Sequence, residues 1–155
     1  MTRNELIDQY LAGPEMLVNA IEGMNAEQLN QSPIPGQWST QQIVCHIADF
    51  EPIYADRMKR VIAEDNPTFF GGDPDVFAAG LAYSHRTIQN ELQLINATRE
   101  QIATILRTLS PSDFQRIGTH SEDGPLSLEK LLQNITNHIP HHCRFIKAKR
   151  EAMRL

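Results

Sequence analysis

Of the six histidines in the chain, His46, His138 and His142 fall where imidazoles could share a cation. On an ideal helix each residue advances by about 100°, which places His138 and His142 about 40° apart and one turn from each other. The same wheel gathers Leu128, Leu131, Ile135, Ile146 and Met153 around that direction, so both rings belong to an apolar stripe. His46 lies between Ile43 and Phe50 on a second stripe with Ile47 and Tyr54, and should also point inward. A buried neutral imidazole must place one N–H donor and one acceptor, and three clustered without partners would be destabilising. One divalent ion resolves this. Zinc, nickel or iron takes the ring lone pairs, and each second ring nitrogen can be held by a carboxylate, carbonyl or water. Three protein ligands leave a coordination position for water or substrate, as in catalytic rather than structural sites.

Taken singly, a histidine on an apolar face is more often a satisfied core residue, and an HxxxH spacing arises readily by chance; the third inward histidine favours a metal. Pro140 sits between the two ligands of the last helix and removes one backbone bond, so the angles at which they aim depend on a kink. His141 points about 100° from His142 and reads as a rim residue around the metal; His85 and His120 read as solvent-facing. Asp49, one turn after His46, could orient a ligand imidazole or make a polar helix–helix contact, whereas Glu51 points away and should be exposed. Arg57 lies on the interior face about three turns below the proposed metal. Pairing with a buried carboxylate, binding an anionic substrate and snorkelling at the bundle end are all open to it. Cys45 and Cys143 neighbour His46 and His142 but point about 100° away from them, and read as small buried hydrophobes rather than ligands. Trp38 and the pair Phe69–Phe70 suit either core packing or a pocket wall.

The elements that must position these residues are helical. Thr2 and Glu5 form a capping-box pattern opening a helix over about 2–22, with an expected kink or break at Gly13–Pro14. A Pro- and Gly-containing connection follows, with a short turn near 26–30. Ser39 and Gln42 repeat the capping pattern and open a helix to about Glu64, with Pro52 as a local kink. Residues 65–74 read as a loop. The third long helix is expected from Asp75 or Ser84 to Leu109, residues 118–125 as a polar loop, and Ser127 as the cap of a last helix over about 128–153. Four helices of about 25 residues, each with one apolar face, predict an all-α four-helix bundle as a single domain over 1–155.

Composition narrows the function classes. Net charge is −5, and no cluster of Lys and Arg makes a phosphate-binding footprint, so no nucleic-acid partner is expected. No segment approaches about 20 apolar residues and the N-terminus lacks a signal-peptide pattern, so no membrane partner and a cytoplasmic location are expected. Two cysteines are too few for a disulfide framework. Ser-His-Asp, phosphate-loop and HExxH patterns are absent, leaving the metal as the principal catalyst acting on a small-molecule substrate.

The stretch WSTQQIVCHIADFEPIYADRMKRVIAEDNP resembles the second-helix signature of the DinB-like (YfiT-like) superfamily of metal-dependent enzymes, and HSEDGPLSLEKLLQNITNHIPHHCRFI resembles its closing segment. Together they span roughly a third of the chain, in the family's order. The resemblance implies an up-down-down-up bundle with a long crossover, often a homodimer. It also implies one divalent metal on His46, His138 and His142, with zinc or nickel ahead of iron or manganese. Characterised relatives of this kind include transferases using a low-molecular-weight thiol (bacillithiol, mycothiol or glutathione) and an isomerase. A thiol-dependent S-transferase acting on a small electrophile is therefore the leading expectation. A metal-dependent hydrolase or isomerase, and a non-catalytic metal- or ligand-binding dimer, are the alternatives. Nothing in the residues indicates DNA chemistry.

Overall fold

The computed structural model describes residues 1–155. Its elements are α1 (Arg3–Ile21), α2 (Ala26–Asn30), α3 (Thr40–Ala63), β1 (Thr68–Phe69), α4 (Pro74–Gly80), α5 (Ile88–Leu106), β2 (Ile117–His120), β3 (Gly124–Ser127) and α6 (Leu128–Ala152). The long helices α1, α3, α5 and α6 form a four-helix bundle. Helix α1 packs on α5 and α6, and α3 packs on the same two, so α1 and α3 face each other across the diagonal.

Side-chain pairs give the directions. Cys143 reaches Met16 and Arg150 reaches Ala20, so α1 and α6 run the same way. Glu51 meets Arg99 and Lys59 meets Gln101, so α3 and α5 are parallel as well. Arg99 meets Tyr10 whereas Arg107 meets Asp8, which makes α1 and α5 antiparallel. This is the up-down-down-up order, and the parallel α3–α5 step requires the long crossover of residues 64–87. No helix is long and apolar enough to cross a membrane.

The predicted capping boxes are present at Thr2/Glu5 and Ser39/Gln42, each closing two free N–H groups at a helix start. Pro14, Pro52 and Pro140 all lie within continuous helices rather than at breaks. At Pro14 the reason is visible. Proline supplies no N–H to the carbonyl of Tyr10 four residues earlier, and the Arg99 guanidinium of α5 donates to that oxygen at 2.6 Å instead.

Two loop expectations are corrected. Helix α5 begins at Ile88 rather than Ser84, because the chain turns through a left-handed Ala82 (φ 51°) into a single 3₁₀ turn at Tyr83–His85. The Gln41 side chain then takes the carbonyls of Tyr83 and Arg86, which ties this turn to α3. The expected polar loop 118–125 lies within a β-hairpin, with Ile117 opposite Ser127 and His120 opposite Gly124, and β1 pairs alongside in parallel. Gly118 permits it: a Cβ there would come within 2.3 Å of the Phe69 ring. These strands are too short and too poor in alternating apolar residues to show a period.

The core divides in two. A 15-residue cluster around Leu6, Tyr10, Met58, Ile102, Leu106 and Leu131 fills one end. An 8-residue cluster around Leu17, Ile43, Ile47, Ile95, Ile139 and Ile146 fills the other. Between them lies a polar layer. Arg99 and Glu51 are each fully buried and ion-paired, and Arg99 also donates to the backbone oxygens of Tyr10 and Ile135. Glu51, expected on the surface, is thus an interior residue. Gly13 gives this guanidinium its room, since a Cβ there would sit 2.2 Å from Nη1.

Candidate functional site

His46 projects from the first half of α3, and His138 and His142 from consecutive turns of α6, where the two antiparallel helices pack. Of the apolar neighbours predicted to turn these rings inward, Ile43, Ile47, Phe50, Leu128, Leu131, Ile135 and Ile146 are buried, and Tyr54 and Met153 are half-buried. The three rings meet. His138 Nε2 lies 3.0 Å from His46 Nε2 and 3.1 Å from His142 Nε2. Their ligand atoms all lie within 4.8 Å of one another, and neither cysteine joins the group.

Hydrogen bonding alone does not account for this cluster. An imidazole nitrogen either donates one proton or offers one lone pair, so His138 Nε2 cannot serve both neighbours well. Three lone pairs directed at one cation can coexist, and tetrahedral coordination at Zn–N distances of 2.0–2.1 Å puts nitrogens about 3.3 Å apart. The donor set therefore fits a divalent metal with little movement. Burial depresses the basicity of all three rings. His46 falls from 6.5 to about 4, and His142 to about 3; for His142 the neighbouring His46 adds to the effect of burial. His138 is also lowered, first by burial and then by His142. At neutral pH the lone pairs are free to coordinate.

Of the two roles open to Asp49, it takes the polar contact between elements. Asp49 does not hold the His46 ring. Its carboxylate accepts from the Tyr83 hydroxyl at 2.7 Å and pairs with Arg86 at 2.8 Å, which makes it a polar link between α3 and the crossover. The Nδ1 atoms of His46 and His138 have no hydrogen-bond partner. His141 is exposed at the rim of the cleft, its ring 5.1 Å from that of His142. Trp38 and Phe50 flank His46, with ring centroids 5.2 and 4.8 Å away, so Trp38 does wall the pocket. Cys45 lies buried against Gln41 and Tyr83, and Cys143 faces the Met16 carbonyl.

The rings open onto a cleft of about 490 Å³, whose lining also includes Tyr54, Arg57, His120 and Asn134. His120, expected in solvent, is buried because the hairpin folds its ring against Phe69. Its Nδ1 accepts from the backbone N–H groups of Glu122 and Asp123 at 3.2 Å. Asp123 Oδ2 lies 3.5 Å from the same nitrogen. The polar composition of the 118–125 segment concealed His120; only the pairing of β2 with β1 brings it to the cleft. Arg57 is 5% exposed, which excludes snorkelling, and it has no ion-pair partner.

Fold and site together define a four-helix bundle with an open histidine triad between antiparallel helices. The sequence profile of the DinB superfamily matches residues 9–146, and the chain belongs to that superfamily. It is 33% identical over 143 residues to a protein of Oceanobacillus iheyensis named "Putative metal-dependent hydrolase OB0782", a match covering 92% of this chain and 83% of that one. A Geobacillus thermodenitrificans protein, also named "Putative metal-dependent hydrolase", is 29% identical over 154 residues, 96% of this chain and 86% of that one. Among solved structures, YfiT from Bacillus subtilis superposes with a TM-score of 0.91 at 24% identity. That superposition covers 99% of this chain and 90% of YfiT, and supports the unusual four-helix bundle topology.

Proposed function

We propose that the protein is a metal-dependent enzyme in which His46, His138 and His142 hold one divalent ion, zinc or nickel, for reaction with a small molecule in the adjoining cleft. The observation that carries this reading is the convergence of three Nε2 atoms, with contacts of 3.0 and 3.1 Å, at the wall of an accessible cavity. A bound metal of this kind lowers the pKa of a coordinated thiol or water and supplies a nucleophile near neutral pH. The protein's own residues hold the ligand nitrogens neutral by burial, shield one side of the site with Trp38 and Phe50, and offer His120 and Asn134 as polar contacts for a substrate. The leading reaction is transfer of a low-molecular-weight thiol to an electrophile. Sulfur bonds to the electrophilic carbon, the leaving group departs with its electron pair, and the thiol proton passes to solvent.

A second reading, hydrolysis, is supported by the names of the two sequence relatives. Elemental analysis of the purified protein tests the common part, with about one metal ion per chain expected and its absence after incubation with zinc and nickel counting against it. Cobalt-substituted protein separates the reactions. A thiolate-to-cobalt absorption band on addition of bacillithiol, mycothiol or glutathione supports S-transfer, and silence with all three leaves hydrolysis.

A further inference from the structure

We infer that Arg57 is the recognition residue for a carboxylate group on the molecule that enters the cleft. This rests on the cleft being the substrate site, and deepens that reading by naming a substrate class.

Arg57 is buried without a counter-ion. Arg57 is 5% exposed, and its one protein hydrogen bond runs from Nη2 to the Phe70 carbonyl. Its Nε is buried and unpartnered. The guanidinium carbon lies 4.9 Å from the centroid of the Tyr54 ring and 5.8 Å from that of Phe69, so aromatic faces hold the plane in place without neutralising it. Removing a cation from water without a partner is costly, and guanidinium remains charged. Among the other shielded cations, Arg99 is paired with Glu51 and Arg86 with Asp49 and Glu91, while Lys149, away from this end of the cleft, has only the Gln37 side-chain oxygen.

Its position supplies the missing anion. Arg57 lines the same cleft as the histidine triad, eleven residues further along α3, or about 16 Å along the helix axis at 1.5 Å per residue. A ligand with a reactive group at the triad and a carboxylate at the other end spans that cleft. Glu122 and Asp123 also line the cavity, but both are exposed at its rim and neither pairs with Arg57. One guanidinium beside two rim carboxylates suits a singly charged planar carboxylate better than a phosphate dianion.

The test uses isothermal titration calorimetry, which reports occupancy anywhere in the cleft, including its Arg57 end. Zinc-loaded and chelator-treated protein are each titrated with hexanoate and, as the uncharged isostere, hexanamide, at concentrations up to about 10 mM. Hexanoate is expected to bind at least about tenfold more tightly than hexanamide. Arg57→Gln is expected to remove that preference, Arg57→Lys to restore part of it, and Arg60→Gln, which deletes an exposed cation of the same helix, to leave it intact. Circular dichroism of each variant confirms folding. A preference that survives in Arg57→Gln, or no hexanoate response in the wild type with or without zinc, overturns the inference. An Arg57-dependent response in protein that takes up no metal sustains it while the metal reading fails.

Discussion

Two interior arginines face each other in role. Arg99 is fully buried, ion-paired with Glu51, hydrogen-bonded to two backbone carbonyls and stacked 4.6 Å over the Tyr10 ring. Arg57 is nearly as buried, yet has one carbonyl, two aromatic faces and an open cavity. The first is closed on itself and serves the fold. The second is left incomplete by the fold, and incompleteness beside a histidine triad is how an interior residue remains available to a ligand. The histidines share this property, since their nitrogens converge without satisfying one another.

Substitution at Arg99 should cost the fold most. Arg99→Met leaves Glu51 as a bare buried carboxylate and strips partners from the Tyr10 and Ile135 carbonyls, so urea unfolding should show a loss of about 3–5 kcal/mol. The double change Arg99→Met with Glu51→Leu should recover much of that loss, because two apolar side chains leave no stranded charge. A double variant as unstable as the single one would mean that the pair does not act as a unit.

Acid should expose the triad next. All three ring pKa values are lowered by burial, so in metal-free protein the unfolded chain binds more protons than the folded one below its ordinary value of 6.5. Stability should therefore fall as pH drops from 6.5 toward about 4, where His46 itself titrates. Thermal melts across this window should show the decline, and His142→Ala should flatten it while abolishing metal uptake. A profile unchanged in that variant would separate the acid sensitivity from the triad.

Gly13 sharpens the contrast at smaller scale. Gly13→Ala puts a methyl group where Arg99 Nη1 lies, at 2.2 Å, and the guanidinium must shift from the Tyr10 carbonyl. A loss of about 1–3 kcal/mol in urea unfolding is expected, despite alanine's better helix propensity. A gain in stability would show that the polar layer tolerates displacement.

Gly13 also marks where sequence reasoning ran out. Helical period and caps revealed the four long helices, and the apolar neighbours of His46, His138 and His142 revealed that these rings point inward. Each inference rests on contacts within a turn or two. The Arg99–Glu51 pair joins residues 48 apart, and a wheel drawn for α3 alone could not show that Glu51 faces a cation on α5. Gly13–Pro14 looked like a defect because the group completing it lies 89 residues from Tyr10. His120 and the small sheet were hidden similarly: strands of two and four residues carry too little period, and their register depends on Phe69 packing over Gly118.

The smallest expected effect on stability is at Arg57, and it decides whether the two arginines differ in kind. Arg57→Met keeps an unbranched chain of similar length against Tyr54 and Phe69, removes an uncompensated cation and leaves only the Phe70 carbonyl without its donor. Loss of that hydrogen bond and relief from burying the charge oppose each other, so urea unfolding should change by no more than about 1 kcal/mol in either direction. A loss matching that of Arg99→Met would make Arg57 a structural residue whose partners had been undercounted. A near-neutral result together with a lost carboxylate preference would identify a charge retained against the interest of the fold, as expected where a site is built for a ligand.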